Sequence, residues 1–177
     1  MSKQFADLGI QESIIKALSD LKIVVPTEIQ QKAIPLLLSN TDVVGLAKTG
    51  TGKTAAFGLP LLQLIDSKTP TIQAVILVPT RELGHQIFTN LEAFAKYLPE
   101  VSIAETCGGI PIKPQIERLT SPTHIVVATP GRLIDLIQRK AINLKETKFL
   151  VLDEADEMVS ILKEGLDEII AELPKNR

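Results

Sequence analysis

A single cysteine, Cys107, is present in 177 residues, so no intrachain disulfide exists and a reducing compartment is expected. Tryptophan is absent and the aromatics amount to five Phe and one Tyr, which argues against a binder that stacks bases on aromatic platforms. Excess positive charge is also missing: 19 Lys and Arg stand against 21 Asp and Glu, a net charge of −2. Any nucleic-acid contact must therefore use a local patch rather than a cationic coat. No run approaches the ~18 apolar residues of a membrane span. Residues 1–7 lack the apolar stretch of a secretory signal. A soluble, cytoplasmic chain with no membrane attachment is expected. Repeats, low-complexity tracts and charged tails are lacking as well. What remains is ordinary for a globular domain, with 45% apolar and 23% charged residues. A chain of this size buries roughly 70% of its unfolded surface, enough for a core without disulfides or metals.

Short runs rich in Val and Ile fall at 42–46, 73–78, 101–105, 124–128 and 149–152. Continuous apolar runs of this kind suit strands covered on both faces. Between them, 12–21, 27–38, 53–65, 81–97, 113–119, 131–139 and 166–173 carry apolar residues at helical spacing. Alternation of the two patterns predicts βαβ units, hence an α/β fold with a mostly parallel sheet and helices on both faces.

The predicted strand 42–46 runs into Ala47, Lys48, Thr49, Gly50, Thr51, Gly52, Lys53 and Thr54, and a helix follows. Strand, glycine-rich loop and helix are the setting a phosphate-binding loop requires. Gly50 and Gly52 let the backbone wrap closely, so that N–H groups and the helix N-terminus face an anionic triphosphate. Lys53 has the reach for the β- and γ-phosphates, and the Thr54 hydroxyl is a ligand for Mg²⁺. Ala47 stands where the first glycine of G-x-x-x-x-G-K-[ST] is usual. A chance Gly/Thr-rich loop is the plain alternative.

Such a loop needs a carboxylate for the metal. Residues 149–152 end in Asp153, Glu154, Ala155 and Asp156, which places the acids at the C-terminal end of a strand, where open α/β sheets bind ligands. Asp153 is the metal-holding candidate, and Glu154 is placed to orient or deprotonate an attacking water. Taken alone, the acids also suit a helix start. Paired with the loop, they point to nucleoside-triphosphate hydrolysis.

At these residues the sequence resembles the DEAD-box ATP-dependent RNA helicases, specifically their N-terminal RecA-like P-loop NTPase domain. Asp153-Glu154-Ala155-Asp156 is similar to the motif that names that family, and Ala47 to Thr54 matches its loop, which often begins with Ala. Pro79-Thr80-Arg81-Glu82-Leu83, Gly108-Gly109 and Thr129-Pro130-Gly131-Arg132 resemble its RNA-facing motifs in the same order. Pro26-Thr27-x-x-Gln30, with Phe5 upstream, is similar to its adenine-recognising segment. The resemblance runs from Phe5 to Glu172. It implies ATP and Mg²⁺ as cofactors, with Lys53, Asp153 and Glu154 catalytic and Thr54 and Asp153 holding the metal. Phe5, Thr27, Gln30 and the loop residues 47–54 then bind nucleotide. Pro79, Thr80, Arg81, Gly108, Gly109, Thr129, Pro130, Gly131 and Arg132 contact RNA, and Asp156 couples to a second RecA-like domain. In chemical terms the Gln30 amide can meet adenine N6 and N7 together. Without the resemblance, an exposed helix-surface amide is the plainer reading of Gln30. The sheet-edge residues suit sugar-phosphate contact without base readout, though caps and turns would use them equally well.

Domain organisation is expected as a segment, 1–31, leading into an ATP-binding domain, 32–177, that is incomplete at its C-terminal end. The chain is expected to be a fragment ending before the strand that carries the family's Ser-Ala-Thr motif. It is then a monomer unless strands are exchanged, binds nucleotide weakly and does not unwind by itself. Lys22-Ile23 departs from the family's Gly-aromatic pair, which implies weaker nucleotide affinity. Lys48, Gly84-His85 and 159–165 depart as well. Cys107 reads as a small buried hydrophobe, His85 and His124 as surface or half-buried side chains, and Arg118 as a solvated face. A nucleotide-gated RNA-binding scaffold, a P-loop DNA translocase and a nucleotide kinase remain alternatives.

Overall fold

The computed structural model describes residues 3–48 and 50–175, with only the backbone described for 159–164. Thr49 lies outside the described residues. The chain forms two compact units, Met1–Ile65 with Asn90–Glu100, and Asp66–Thr89 with Val101–Arg177.

The first unit is helical. A 3₁₀ turn at Ala6–Leu8 is followed by α1 (Glu12–Asp20), α2 (Glu28–Leu38) and α3 (Lys53–Leu64). α1 buries Ile14, Ala17 and Leu18 at the i, i+3, i+4 spacing of one helix face. Gly58 lets α3 approach the return segment 90–100 closely, since a Cβ there would stand 2.8 Å from Leu91 Cδ2. On the surface, Tyr97 Oη and Lys96 Nζ donate to Asp20 Oδ2 at 2.8 and 2.5 Å. The Lys96 hydrogen bond holds the Asp20 carboxyl below the usual carboxylate range.

The second unit is the α/β part. It contains β1 (Ala74–Leu77), α4 (Arg81–Phe94, of which the residues through Thr89 belong here), β2 (Ile103–Thr106) and α5 (Ile112–Leu119). Then follow β3 (Ile125–Ala128), α6 (Pro130–Gln138), β4 (Phe149–Leu152) and α7 (Ala155–Glu172). The strand order is β2-β3-β1-β4 and every pairing is parallel, with Leu77 in register with Ala128 and Leu152. On one face Val75, Leu77, Val126 and Ala128 form a core with Leu133 of α6 and Met158, Leu166 and Ile169 of α7. On the other, Gly84 of α4 lies against Val127 and Cys107 so tightly that a Cβ would overlap the Cys107 sulfur. Burial on both faces explains the uninterrupted apolar β1 and β3. Parallel pairing also brings all four strand ends, and the helix starts after them, to a single edge.

Four expectations change. Residues 42–46 form no strand; Val44 and Leu46 are 92% and 93% exposed. A strand exists through its ladder, and hydrophobic sequence alone does not supply a partner for the backbone. α7 starts at Ala155, well before the periodicity at 166–173. His124 is buried at 2% exposure because it opens β3, a strand flanked on both sides; its carbonyl accepts from Gln73 and Ala74 N–H. Its Nδ1 accepts from Ser102 N–H at 2.9 Å, and burial lowers its pKa. Arg118 is no merely solvated group: it donates to Thr123 Oγ1, Ser102 Oγ and the Ile103 carbonyl.

Candidate functional site

In the first unit, Gly50 and Gly52 both have left-handed backbones, φ 81° and 87°, and Gly52 caps α3. Nothing lies within 4 Å of where a Gly50 Cβ would be, so the turn leaves open space beside bare backbone. Lys53 and Thr54 open α3, with the N–H groups of its first turn unpaired inside the helix. Open backbone at a helix start fits an anionic phosphate chain. Thr51 Oγ1 donates to the Lys48 carbonyl at 2.7 Å and closes the turn.

Gln30 is buried at 3% exposure and joins this loop to α2. Its Oε1 accepts from Thr27 N–H at 2.9 Å, one arm of a capping box, and its Nε2 donates to the Gly52 carbonyl at 3.1 Å. One N–H and one lone pair of the amide are left over. A Cβ on Gly52 would overlap the Gln30 amide, so that glycine is demanded by space as well as by φ. Phe5 is buried at 3% exposure, with its carbonyl capping the 3₁₀ turn, and its ring is part of the interior. Lys22 has φ 60°, a left-handed conformation in which a glycine is least strained.

In the second unit, the strand ends bring three loops together. Gly108 N–H donates to Thr129 Oγ1 at 3.0 Å, joining the turn after β2 to the one after β3. Arg81, at the start of α4, reaches the Gly109 carbonyl at 3.5 Å, and its side chain stays 48% exposed. Gly109 has φ 80° and lies against the Arg81 guanidinium. Arg132 Nη1 and Nη2 donate to Gln115 Oε1 and the Ile110 carbonyl at 2.6 and 2.7 Å. Thr80, Gly109 and Gly131 are exposed, Pro79 and Thr129 half-buried, and Pro130 is a buried first residue of α6. Beside the turn, burial pushes the Cys107 thiol up to about 11, so it is inert at neutral pH.

The acids stand on the same edge. Asp153 N–H donates to the Leu77 carbonyl at 3.0 Å, extending the ladder between β4 and β1 by one residue. Asp153 is 9% exposed and its Oδ1 accepts Glu154 N–H at 3.1 Å. Glu154 has φ 53° and ψ 48°, a left-handed cap on α7. For a residue with a Cβ this conformation costs about 1–2 kcal/mol, and such strain clusters at functional sites. Asp156 is exposed in the first turn of α7.

Comparison with known proteins bears on these features directly. The profile of the DEAD/DEAH box helicase family matches residues 27–177. This chain belongs to that family. Among its relatives, the DEAD/DEAH box chain is 46% identical to the ATP-dependent RNA helicase DeaD of Haemophilus influenzae, over 97% of this chain and 28% of the relative. It is 44% identical to the DEAD-box ATP-dependent RNA helicase CshA of Streptococcus pneumoniae, over 98% of this chain and 33% of the relative. This DEAD/DEAH box chain thus spans about a third of the length of these relatives. The structure superposes on that of a DEAD box protein from Methanococcus jannaschii with a TM-score of 0.90 and 37% identity, covering 100% of this chain and 49% of that one. A RecA-like α/β fold follows. Among the described residues, no helix is long and apolar enough to cross a membrane.

Two residues of the second unit were missed by sequence reasoning. Gln115 and Arg118 both bind loops or strand ends, and only Gln115 left a signal: it is a polar side chain at the i+3 position from Ile112 on the apolar side of α5.

Proposed function

We propose that this chain is the ATP-binding RecA-like domain of an ATP-dependent RNA helicase, acting with a second RecA-like domain in a longer cytoplasmic protein. The observation that carries this reading is the shared edge: Asp153 and Glu154 leave β4 one ladder step beyond Leu77, on the same strand ends that present Arg81, Gly108, Gly109 and Thr129. Groups suited to hydrolysis and groups suited to RNA are then joined by short, rigid strands.

The turn at Gly50 to Gly52 and the start of α3 receive the phosphates, with Lys53 countering their charge. Gln30 gives one N–H to the Gly52 carbonyl and one lone pair to Thr27 N–H, and keeps the remaining N–H and lone pair for the base. Thr54 and Asp153 would hold Mg²⁺, which supplies charge neutralisation on the phosphate oxygens when bound. Asp153 orients its oxygens through the Glu154 N–H, and Glu154 takes a proton from, or orients, the attacking water. Arg81, Thr80, Thr129 and the glycine backbone grip sugar and phosphate, so binding is independent of base sequence. Asp156 couples the site to the second domain. Alone, the chain binds nucleotide weakly and does not unwind.

Steady-state ATP hydrolysis by the whole protein, with single-stranded RNA or DNA added, tests this. RNA stimulates turnover more than DNA, and Glu154→Gln lowers turnover by about 10²–10⁴-fold with ATP binding kept. Equal stimulation by DNA points to a translocase, and unchanged turnover in Glu154→Gln to a scaffold.

A further inference from the structure

α5 carries Ile112, Ile116 and Leu119 toward one side, and a polar residue, Gln115, shares that side at 5% exposure. A buried amide is costly unless its donors and acceptors are met. Gln115 Nε2 donates to the Cys107 carbonyl at 2.9 Å, and its Oε1 accepts from Arg132 Nη1 at 2.6 Å. Arg132 Nη2 then donates to the Ile110 carbonyl at 2.7 Å. Cys107 and Ile110 bracket Gly108 and Gly109, so one closed circuit grips the glycine turn from both ends. Gly108 N–H is in turn anchored on Thr129 Oγ1 at 3.0 Å. A guanidinium has five N–H donors. The circuit uses one on each terminal nitrogen of Arg132 and leaves the others for an outside anion.

We propose that Gln115 is a positioning residue for RNA: it sets the Gly108–Gly109 turn and the Arg132 guanidinium in the geometry that meets the sugar-phosphate chain. This rests on the RNA reading above. The charge on Arg132 is directed by a neutral amide, which fixes its place without cancelling it. Gln115 touches no ligand itself.

The test is fluorescence anisotropy of labelled decauridylate titrated with the whole protein at several KCl concentrations, paired with thermal melting. Gln115→Met keeps length and removes both hydrogen bonds. It weakens RNA binding about tenfold, the size of one charge-assisted hydrogen bond. The salt slope falls by ~0.7, equivalent to one phosphate contact on a single strand. Gln115→Glu keeps an acceptor for Arg132 but cancels its charge and loses the donor to the Cys107 carbonyl, so it weakens RNA binding at least as much. Arg118→Met removes hydrogen bonds at the opposite strand ends, so it lowers the melting temperature and leaves RNA affinity and slope alone. An unchanged slope in Gln115→Met, with affinity falling only as the folded fraction falls, overturns the proposal. If Gln115→Met does not fold, Gln115→Glu decides, and an RNA affinity kept within about twofold there overturns it. Arg81→Met separates the two levels. If it weakens binding and Gln115→Met does not, the positioning role alone fails. If it changes nothing, or the whole protein does not bind, the RNA reading fails and the proposal with it.

Discussion

The Gly50–Gly52 turn of the first unit and the strand-end edge of the second, the two regions proposed to hold phosphate groups, are prepared in opposite ways. The edge is braced before any ligand arrives: Gly108 on Thr129, Arg132 on Gln115 and Ile110, Arg81 on Gly109. Behind it stand strands whose Ile76, Leu77, Val127 and Ala128 are completely buried. The loop follows a stretch that joins no sheet, with Val44 and Leu46 in water. Among the described residues its side-chain anchors are Gln30 on Gly52 and Thr51 on Lys48. Parallel pairing assembles a binding edge as a consequence of folding. A loop without a ladder behind it depends on a buried amide, one hydroxyl and a helix start.

Breaking the loop at its anchor should have the largest effect. Gly52→Ala forces φ 87° on an alanine and pushes a Cβ into the Gln30 amide. Backbone strain and a lost hydrogen bond together weaken nucleotide binding by about a hundredfold, read by titration with a fluorescent ATP analogue. On the edge, Gly84→Ala sets a methyl against the Cys107 sulfur and costs about 1–3 kcal/mol in urea unfolding. Adding Cys107→Ala restores most of that stability, because the overlapping atom is gone.

Smaller effects sharpen the contrast. Burial lowers the His124 pKa below its ordinary value of 6.5. The unfolded chain therefore takes up a proton before the folded one, and stability falls as pH drops below 6.5. His124→Asn keeps an acceptor for Ser102 N–H and flattens that fall below pH 6.5, measured as melting temperature against pH. Val44→Thr and Leu46→Thr lie in water already and change stability by less than about 0.5 kcal/mol.

The same contrast governs how much the sequence discloses. Buried strands print themselves as apolar runs, so 73–78 and 124–128 were legible to within a residue or two, as was the half-buried 149–152, and with them the edge on which Arg81, Thr129 and Asp153 sit. The run at 42–46 has the same composition and no ladder, and composition cannot report pairing. His124 was misread because its burial comes from neighbouring strands that are far off in sequence. The starts of α3 and α6 were legible to within a residue, whereas the start of α7 at Ala155 was legible only as the plainer reading of the acids at 153–156, because the helical periodicity begins at 166. Phe5 was legible as a noteworthy aromatic, and its place in the interior was not.

The most direct test of the preformed edge is sequence-independent binding to single-stranded RNA. Labelled decauridylate and decaadenylate should bind the whole protein with affinities within about threefold of each other, and Arg81→Met should weaken both equally. A preference above about tenfold for one base, or affinities indifferent to Arg81→Met, would contradict a grip made through sugar and phosphate at the strand ends.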